Sequence, residues 1–212
     1  MKLFDMKLEE FLNEVDSSSP APGGGSVSAL ASSLGVSLAR MVCHLSFGKK
    51  KYEANGDDVK AKFNEHFEKL LGMKNELNAL IDRDSEAYNT VMAAYKLPKE
   101  TDEEKKVRSE EIQKALKTAI QTPYEIVVLS GKAMELLAHI LEYGNQNAAT
   151  DIGVGAMLLM TGLEGGILNV KVNLSSITDT EYVERINKEI AEIKEKASVQ
   201  KDEILKKVNS VI

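Results

Sequence analysis

Apolar positions recur at three- and four-residue intervals through most of this chain, which predicts helices joined by short, punctuated loops. A first helix follows Asp5 as N-cap, carries Leu8, Phe11, Leu12 and Val15, and stops at Ser17. SSSPAPGGGS, residues 17–26, excludes a regular element through its prolines and glycines, and Ser26 is placed to cap the helix that runs on to about Ser46. In that helix Ala29, Ser33 and Ser37, with Ala31, Gly35 and Ala39, set small residues four apart, which lets a second backbone approach closely. FGKKKYE, residues 47–53, interrupts the pattern, and a long helix then runs from about Val59 to Tyr95, before Pro98.

Thr101 with Glu104 has the spacing of a capping box. It opens a helix carried by Val107, Ile112, Ala115, Leu116 and Ile120, which Pro123 is expected to kink or restart. Residues 124–143 are apolar nearly all round. Gly144 is a helix stop, and NQNAATD leads into a small-residue, glycine-rich apolar segment, 152–163, that reads as a buried helix. LNVKVNL, residues 168–174, alternates apolar with polar and taken alone is a strand pattern. Thr178 and Glu181 repeat the capping-box spacing. The last helix holds one seam through Val183, Ile186, Ile190, Ile193, Ala197, Ile204, Val208 and Val211. Helices this long favour an all-α bundle of long and short helices, with seams that a second subunit can cover, so a homodimer is expected.

No linker-like composition divides the 212 residues, which are read as one helical domain, 1–212. The single cysteine, Cys43, rules out an intramolecular disulfide, and no His or Cys pairs have metal-ligand spacing, so a reducing cytoplasmic compartment and no metal are expected. The N-terminus does not read as a secretory signal, and no stretch of about 18 uncharged apolar residues suggests membrane insertion. A net charge of -6 argues against nucleic acid as partner, and any anionic ligand must meet a local basic patch.

Candidate chemistry concentrates at a few places. On the long middle helix Leu77, Leu80, Ile81, Tyr88, Val91 and Tyr95 define a buried face, and Asp84 falls in the same row. A carboxylate there is paired in a structural salt bridge, protonated, or functional, because unpaired burial of a charge is costly. Asp82 lines up instead with Asn75, Asn78, Ser85, Glu86 and Asn89 and reads as solvated surface. PAPGGGS opens a helix, so its N–H groups can hold a carboxylate, phosphate or carbonyl oxygen, although a tight turn is the plainer reading and no nucleotide fingerprint is present. Lys49, Lys50 and Lys51 read first as a solvated turn. Cys43 and His44 point about 100° apart on a helix and cannot form a nucleophile–base dyad; Cys43 is assigned to packing, and His66 and His139 to a core or surface role. Asn169 and Asn173 share a face whether the segment is helix or strand, and with Asn145 and Asn147 they can read the donor and acceptor edge of a heterocycle.

SPAPGGGS (19–26), FGKKKYE (47–53), DRDSEAY (82–88) leading to LPK (97–99), GNQNAATDIGVGA (144–156) and NVKVNL (169–174) together resemble the formiminotetrahydrofolate cyclodeaminase and methenyltetrahydrofolate cyclohydrolase family. The resemblance implies an all-helical dimeric fold, which overrides the strand reading of 168–174, together with a folate substrate and no metal or further cofactor. It puts the family's catalytic aspartate on Asp84. Pro22, Gly23, Gly24, Gly25, Ser26, Asn169 and Asn173 would then grip the pterin or its flanking atoms. Lys49, Lys50 and Lys51 would meet the carboxylates of a folate tail, possibly polyglutamylated, and Asn145 and Asp151 belong to a further matched binding segment. Cyclodeaminase is the leading activity and cyclohydrolase the alternative. The rival from another class is a helical scaffold, which needs neither a buried Asp84 nor glycine- and asparagine-rich loops.

Overall fold

The computed structural model describes residues 2–212 and contains α1 (Leu8–Val15), α2 (Gly24–Ser46), α3 (Lys50–Glu53), α4 (Asp57–Tyr95), α5 (Asp102–Tyr143), α6 (Ala149–Leu174) and α7 (Thr180–Asn209), with single 3-10 turns at Leu3–Asp5 and Gln146–Ala148. No strand occurs among the described residues. Residues 168–174 are helical because Leu163, Ile167, Val170 and Leu174 face the core at helical spacing. Leu168 and Val172 point outward, and these outward apolar residues produced the false alternation.

Local signals set most boundaries, and several fall elsewhere than expected. Thr101 and Glu104 do form a reciprocal capping box, with N–H to side-chain distances of 3.2 and 2.9 Å. Helix α1 starts after Lys7 rather than Asp5, which lies in the preceding 3-10 turn. Asp179, not Thr178, caps α7, accepting the Tyr182 N–H at 3.0 Å, while Thr178 bonds to the Gln113 side chain. Pro123 neither ends nor restarts α5: it is buried inside one 42-residue helix, held against α6 where Gly166 lets the two backbones approach.

Helices α2 and α6 form the centre of the bundle and run antiparallel. Gly24 lies by Asn169, Ser28 by Gly165, Ser32 by Gly162, and Gly35 by Gly155. A Cβ on Gly35 would stand 2.7 Å from the Gly155 carbonyl oxygen, so the crossing tolerates no side chain there. The Ser32 and Ser130 hydroxyls, 2.6 Å apart, tie α2 to α5 inside the core. Around this pair α4 contributes Phe63, Leu70, Leu77, Leu80 and Ile81, all essentially inaccessible; truncating one such leucine to alanine costs about 2–5 kcal/mol. By length and composition Gly24–Ser46 and Gln146–Leu174 could each cross a membrane, yet 56% of each apolar window is buried within the bundle.

Candidate functional site

The glycine-rich turn delivers the N-terminus of α2 to the middle of α4. Helix α2 begins at Gly24 with Gly23 as its cap, so no side chain of its own satisfies its first N–H groups. Ser26, expected as the cap, lies inside the first turn. Its N–H donates to Asp84 Oδ2 at 3.1 Å and its hydroxyl donates to the Ile81 carbonyl at 2.7 Å. Asp84 therefore acts as the helix cap from 58 positions away. Gly25 is what allows this: a Cβ built on it would fall inside the van der Waals envelope of the Asp84 carboxylate.

Asp84 is half-buried, and burial pushes its pKa above the ordinary aspartate value; the Ser26 bonds oppose that rise without cancelling it. No charged neighbour contributes to the shift, so the structural salt bridge weighed from sequence is not what holds this carboxylate. Asp82, in contrast, is half-buried and accepts the Leu3 N–H at 2.6 Å, which ties the N-terminal turn to α4. It is a structural residue rather than solvated surface. Asn78 on the same polar face accepts from the Ser33 hydroxyl at 2.5 Å, so that face packs against α2.

Asp84 opens into a cleft of about 350 Å³ bounded by the Pro20–Gly24 turn, α4, α5 and the C-terminal half of α6. Asn169 and Asn173 line it, each donating one amide N–H to a carbonyl of its own helix, Gly165 and Asn169 respectively. The amide oxygen and second N–H of each are left for a ligand. Tyr88, Val91 and Tyr95, assigned to the buried face from sequence, form an apolar wall with Leu116 and Ala119; the two tyrosine rings stay about 40% exposed at the mouth. Their spacing from Asp84 was the available signal: residues four and eleven positions on share the carboxylate's face. Ala119 has a further property, because Pro123 has no N–H with which to engage its carbonyl four residues back.

The remaining expected site residues lie elsewhere. Lys49 and Lys51 line a second concavity of about 330 Å³ with Ser46, Tyr52 and Asn145, while Lys50 is exposed beside it. This is the opposite end of α2, and the 23 residues of that helix put it roughly 33 Å from the Asp84 cleft. Asn145 is largely committed to backbone: its side chain accepts the Asn147 N–H at 3.1 Å and donates to the Leu45 carbonyl at 3.3 Å. Asp151 sits in the first turn of α6 at that same end and lines neither concavity. Pro22 is buried behind the turn. Within one chain, then, Gly23–Ser26, Asn169 and Asn173 join Asp84, and Lys49–Lys51, Asn145 and Asp151 do not. The chemical weight falls on the Asp84 end, where an ionisable group without a counter-ion faces open space.

Comparison with known proteins gives a consistent result. The chain is 37% identical over 205 residues to a methenyltetrahydrofolate cyclohydrolase of Methylorubrum extorquens, covering 97% of each. It is 35% identical over 190 residues to the formimidoyltransferase-cyclodeaminase of Gallus gallus, where it spans 34% of the longer protein. The crystal structure of a formiminotetrahydrofolate cyclodeaminase from Thermotoga maritima superposes with a TM-score of 0.79 at 28% identity, covering 99% of this chain and 97% of that one. Residues 7–192 match the family model described as formiminotransferase-cyclodeaminase, and the chain belongs to that family.

Proposed function

We propose that this protein forms or opens the one-carbon bridge between N5 and N10 of a tetrahydrofolate, with Asp84 as its acid–base residue. In the ring-closing reaction N10 attacks the formimino carbon carried on N5. The formimino group enters protonated, as an amidinium, so that attack leaves an amino group on the tetrahedral carbon; the N10 proton passes to the Asp84 carboxylate and is returned to that amino nitrogen, which leaves as ammonia. The product is the cationic 5,10-methenyl bridge, which a nearby carboxylate stabilises in a water-poor cleft. In the hydrolytic reaction water adds to the bridge carbon and gives one proton to Asp84; Asp84 passes that proton to N5 as the carbon–N5 bond breaks, and the remaining hydroxyl proton is released as the 10-formyl carbonyl forms.

The observation that carries this reading is the environment of Asp84: one carboxylate, raised in pKa by burial, free of any cation, and fixed by Ser26 at the edge of a cleft. A raised pKa brings the group nearer the pH at which it must both take and give a proton. Asn169 and Asn173 supply donors and acceptors suited to a pterin edge, and Tyr88 and Tyr95 supply flat apolar surface for its ring. Among the described residues no cluster of three His, Cys, Asp or Glu is arranged to hold a metal ion.

Ring closure with loss of ammonia is the first reading. Hydrolysis is the second, favoured by the match along 97% of both chains to the Methylorubrum cyclohydrolase. Purified protein is to be given 5-formiminotetrahydrofolate and 5,10-methenyltetrahydrofolate in separate spectrophotometric assays, with and without a chelator. Turnover of at least one, unaffected by the chelator, is expected. Turnover of neither contradicts the proposal.

A further inference from the structure

Building on that folate reading, we infer that the backbone carbonyl of Ala119, freed inside α5 by Pro123, accepts a hydrogen bond from the 2-amino group of the bound pterin. The proline thereby turns a stretch of helix backbone into part of the binding site and sets which ring the cleft selects.

The first observation is a proline in a place that helices disfavour. Pro123 lies near the midpoint of the 42-residue α5, buried, where it neither caps nor ends the helix. An interior proline crowds the carbonyl four residues back and offers it no N–H. That carbonyl belongs to Ala119. The side-chain donors nearest to it in sequence are engaged elsewhere: the Thr118 hydroxyl donates to the Lys114 carbonyl at 3.0 Å, and the Gln121 amide to the Tyr182 hydroxyl at 3.2 Å. Ala119 is only 6% exposed, and buried backbone carbonyls are nearly always paired. Its partner has to come from the cleft that Ala119 lines.

The second observation is where this carbonyl stands. Helices α5 and α6 run antiparallel and meet at two points that bracket the cleft. At one, Gly166 lies against Pro123 and Ile126; at the other, the Gln113 side chain donates to the Ser176 carbonyl at 2.8 Å. Between them Asn169 and Asn173 on α6 stand opposite Ala119 and Leu116 on α5, and all four line the cleft that Asp84 lines from α4. Helix carbonyls point toward the C-terminal end, so that of Ala119 is directed along this wall toward Pro123.

The chemistry of the pterin matches this layout. Its 2-amino group lies at the opposite end of the pyrimidine ring from N5, so placing the N5–N10 bridge at Asp84 carries the amino group away toward the α5–α6 wall. Among the described residues that line the cleft, Asp84 is the only acid, and no second carboxylate is there to take the amino group. The acceptors at that wall are the amide oxygens of Asn169 and Asn173 and the carbonyl of Ala119. Each asparagine also keeps an N–H to offer and so tolerates a donor or an acceptor; a backbone carbonyl only accepts. A ring with hydrogen in place of the amino group leaves that carbonyl unpaired, and a site built around a polar group rejects such a ligand.

Restoring the missing N–H tests this. Pro123→Ala and Pro123→Val each give position 123 an amide hydrogen that can close the bond to Ala119, while they differ in bulk against Gly166. Both are expected to stay folded, since a helix interior favours either residue over proline. Equilibrium binding is measured with tetrahydrofolate and with its 2-desamino analogue, in which hydrogen replaces the amino group. The parent's preference for tetrahydrofolate over the analogue is expected to shrink about 2–10-fold in both variants, with the loss falling on tetrahydrofolate. Equal weakening of the two ligands, or a loss confined to one variant, means that Pro123 acts through packing and overturns the proposal, as does an unchanged preference. Those outcomes leave the folate reading standing. Parent protein that binds neither ligand counts against the folate reading itself, and the proposal falls with it.

Discussion

The Ser26 N–H donates to Asp84 Oδ2 at 3.1 Å, so a carboxylate in the middle of α4 caps the first turn of a helix through a residue 58 positions earlier. The contact makes one element of two loci that are separate in sequence, and it fixes where a proton can be taken and returned. Gly25 keeps the approach open, and its backbone is in no left-handed conformation that would itself demand glycine.

Gly25→Ala therefore tests position rather than backbone strain. The new methyl group occupies the space of the Asp84 carboxylate, which must swing away from Ser26. A displacement near 1 Å at a reacting group costs about 10²-fold in rate. The expectation is a drop of that order in kcat with a melting temperature within a few degrees of the parent. Turnover within about threefold of the parent would show that the carboxylate needs no such seat.

The raised pKa of Asp84 makes a prediction for stability with a definite sign. Its ordinary value is 3.8; the unfolded chain ionises there and the folded chain only at higher pH. The favourable contribution of keeping the group neutral is thus fully present below 3.8 and is lost as pH rises through the folded value. Asp84→Asn removes that loss. Thermal melts should show the variant equal to the parent in acid and more stable at neutral pH. A variant less stable at neutral pH would indicate a charge partner for Asp84.

Asn169 and Asn173 are expected to act in binding. Replacing either with alanine removes a neutral hydrogen bond worth about 0.5–1.5 kcal/mol, so kcat/KM for the folate should fall about 2–10-fold. The change should lie in KM. An effect confined to kcat would move these residues from grip to chemistry.

The α2–α6 crossing separates stability from activity. Gly35→Ala forces its methyl group against the Gly155 carbonyl and the Leu159 side chain, and overpacking of this kind costs about 1–3 kcal/mol. The melting temperature should drop while turnover per folded molecule, read at low temperature, stays near that of the parent.

Much of this was legible in the sequence, for physical reasons that can be named. The row containing Leu77, Leu80, Ile81 and Asp84 follows from helical spacing alone, and the small residues of α2 announced a close helix crossing that Gly35 and Gly155 make. Periodicity misled at 168–174, where Leu168 and Val172 form an outer apolar stripe beside the inner one, and two stripes on one helix mimic a strand. It also placed Tyr88 and Tyr95 in the core, because a cleft wall and a core face share the same spacing. Asp82 looked solvated since its partner, the Leu3 N–H, comes from 79 residues away. The predicted length of α2 already set Lys49–Lys51 far from the glycine-rich turn; what could not be read is that Asp84 joins the turn rather than the lysines, because the Ser26–Asp84 contact spans 58 positions and a matched motif carries no distance.

The most direct test of the account is the turnover of Asp84→Asn beside Asp82→Asn. Asparagine keeps the shape of Asp84 and an oxygen to accept the Ser26 N–H, but it cannot take or return a proton. Turnover of the better folate substrate should fall by about 10²–10⁴-fold, with substrate affinity retained by equilibrium binding. Asp82→Asn keeps the acceptor for Leu3 and should leave turnover near that of the parent. An Asp84→Asn protein that turns over normally, or an Asp82→Asn protein equally inactive, contradicts the assignment of Asp84 as the acid–base group.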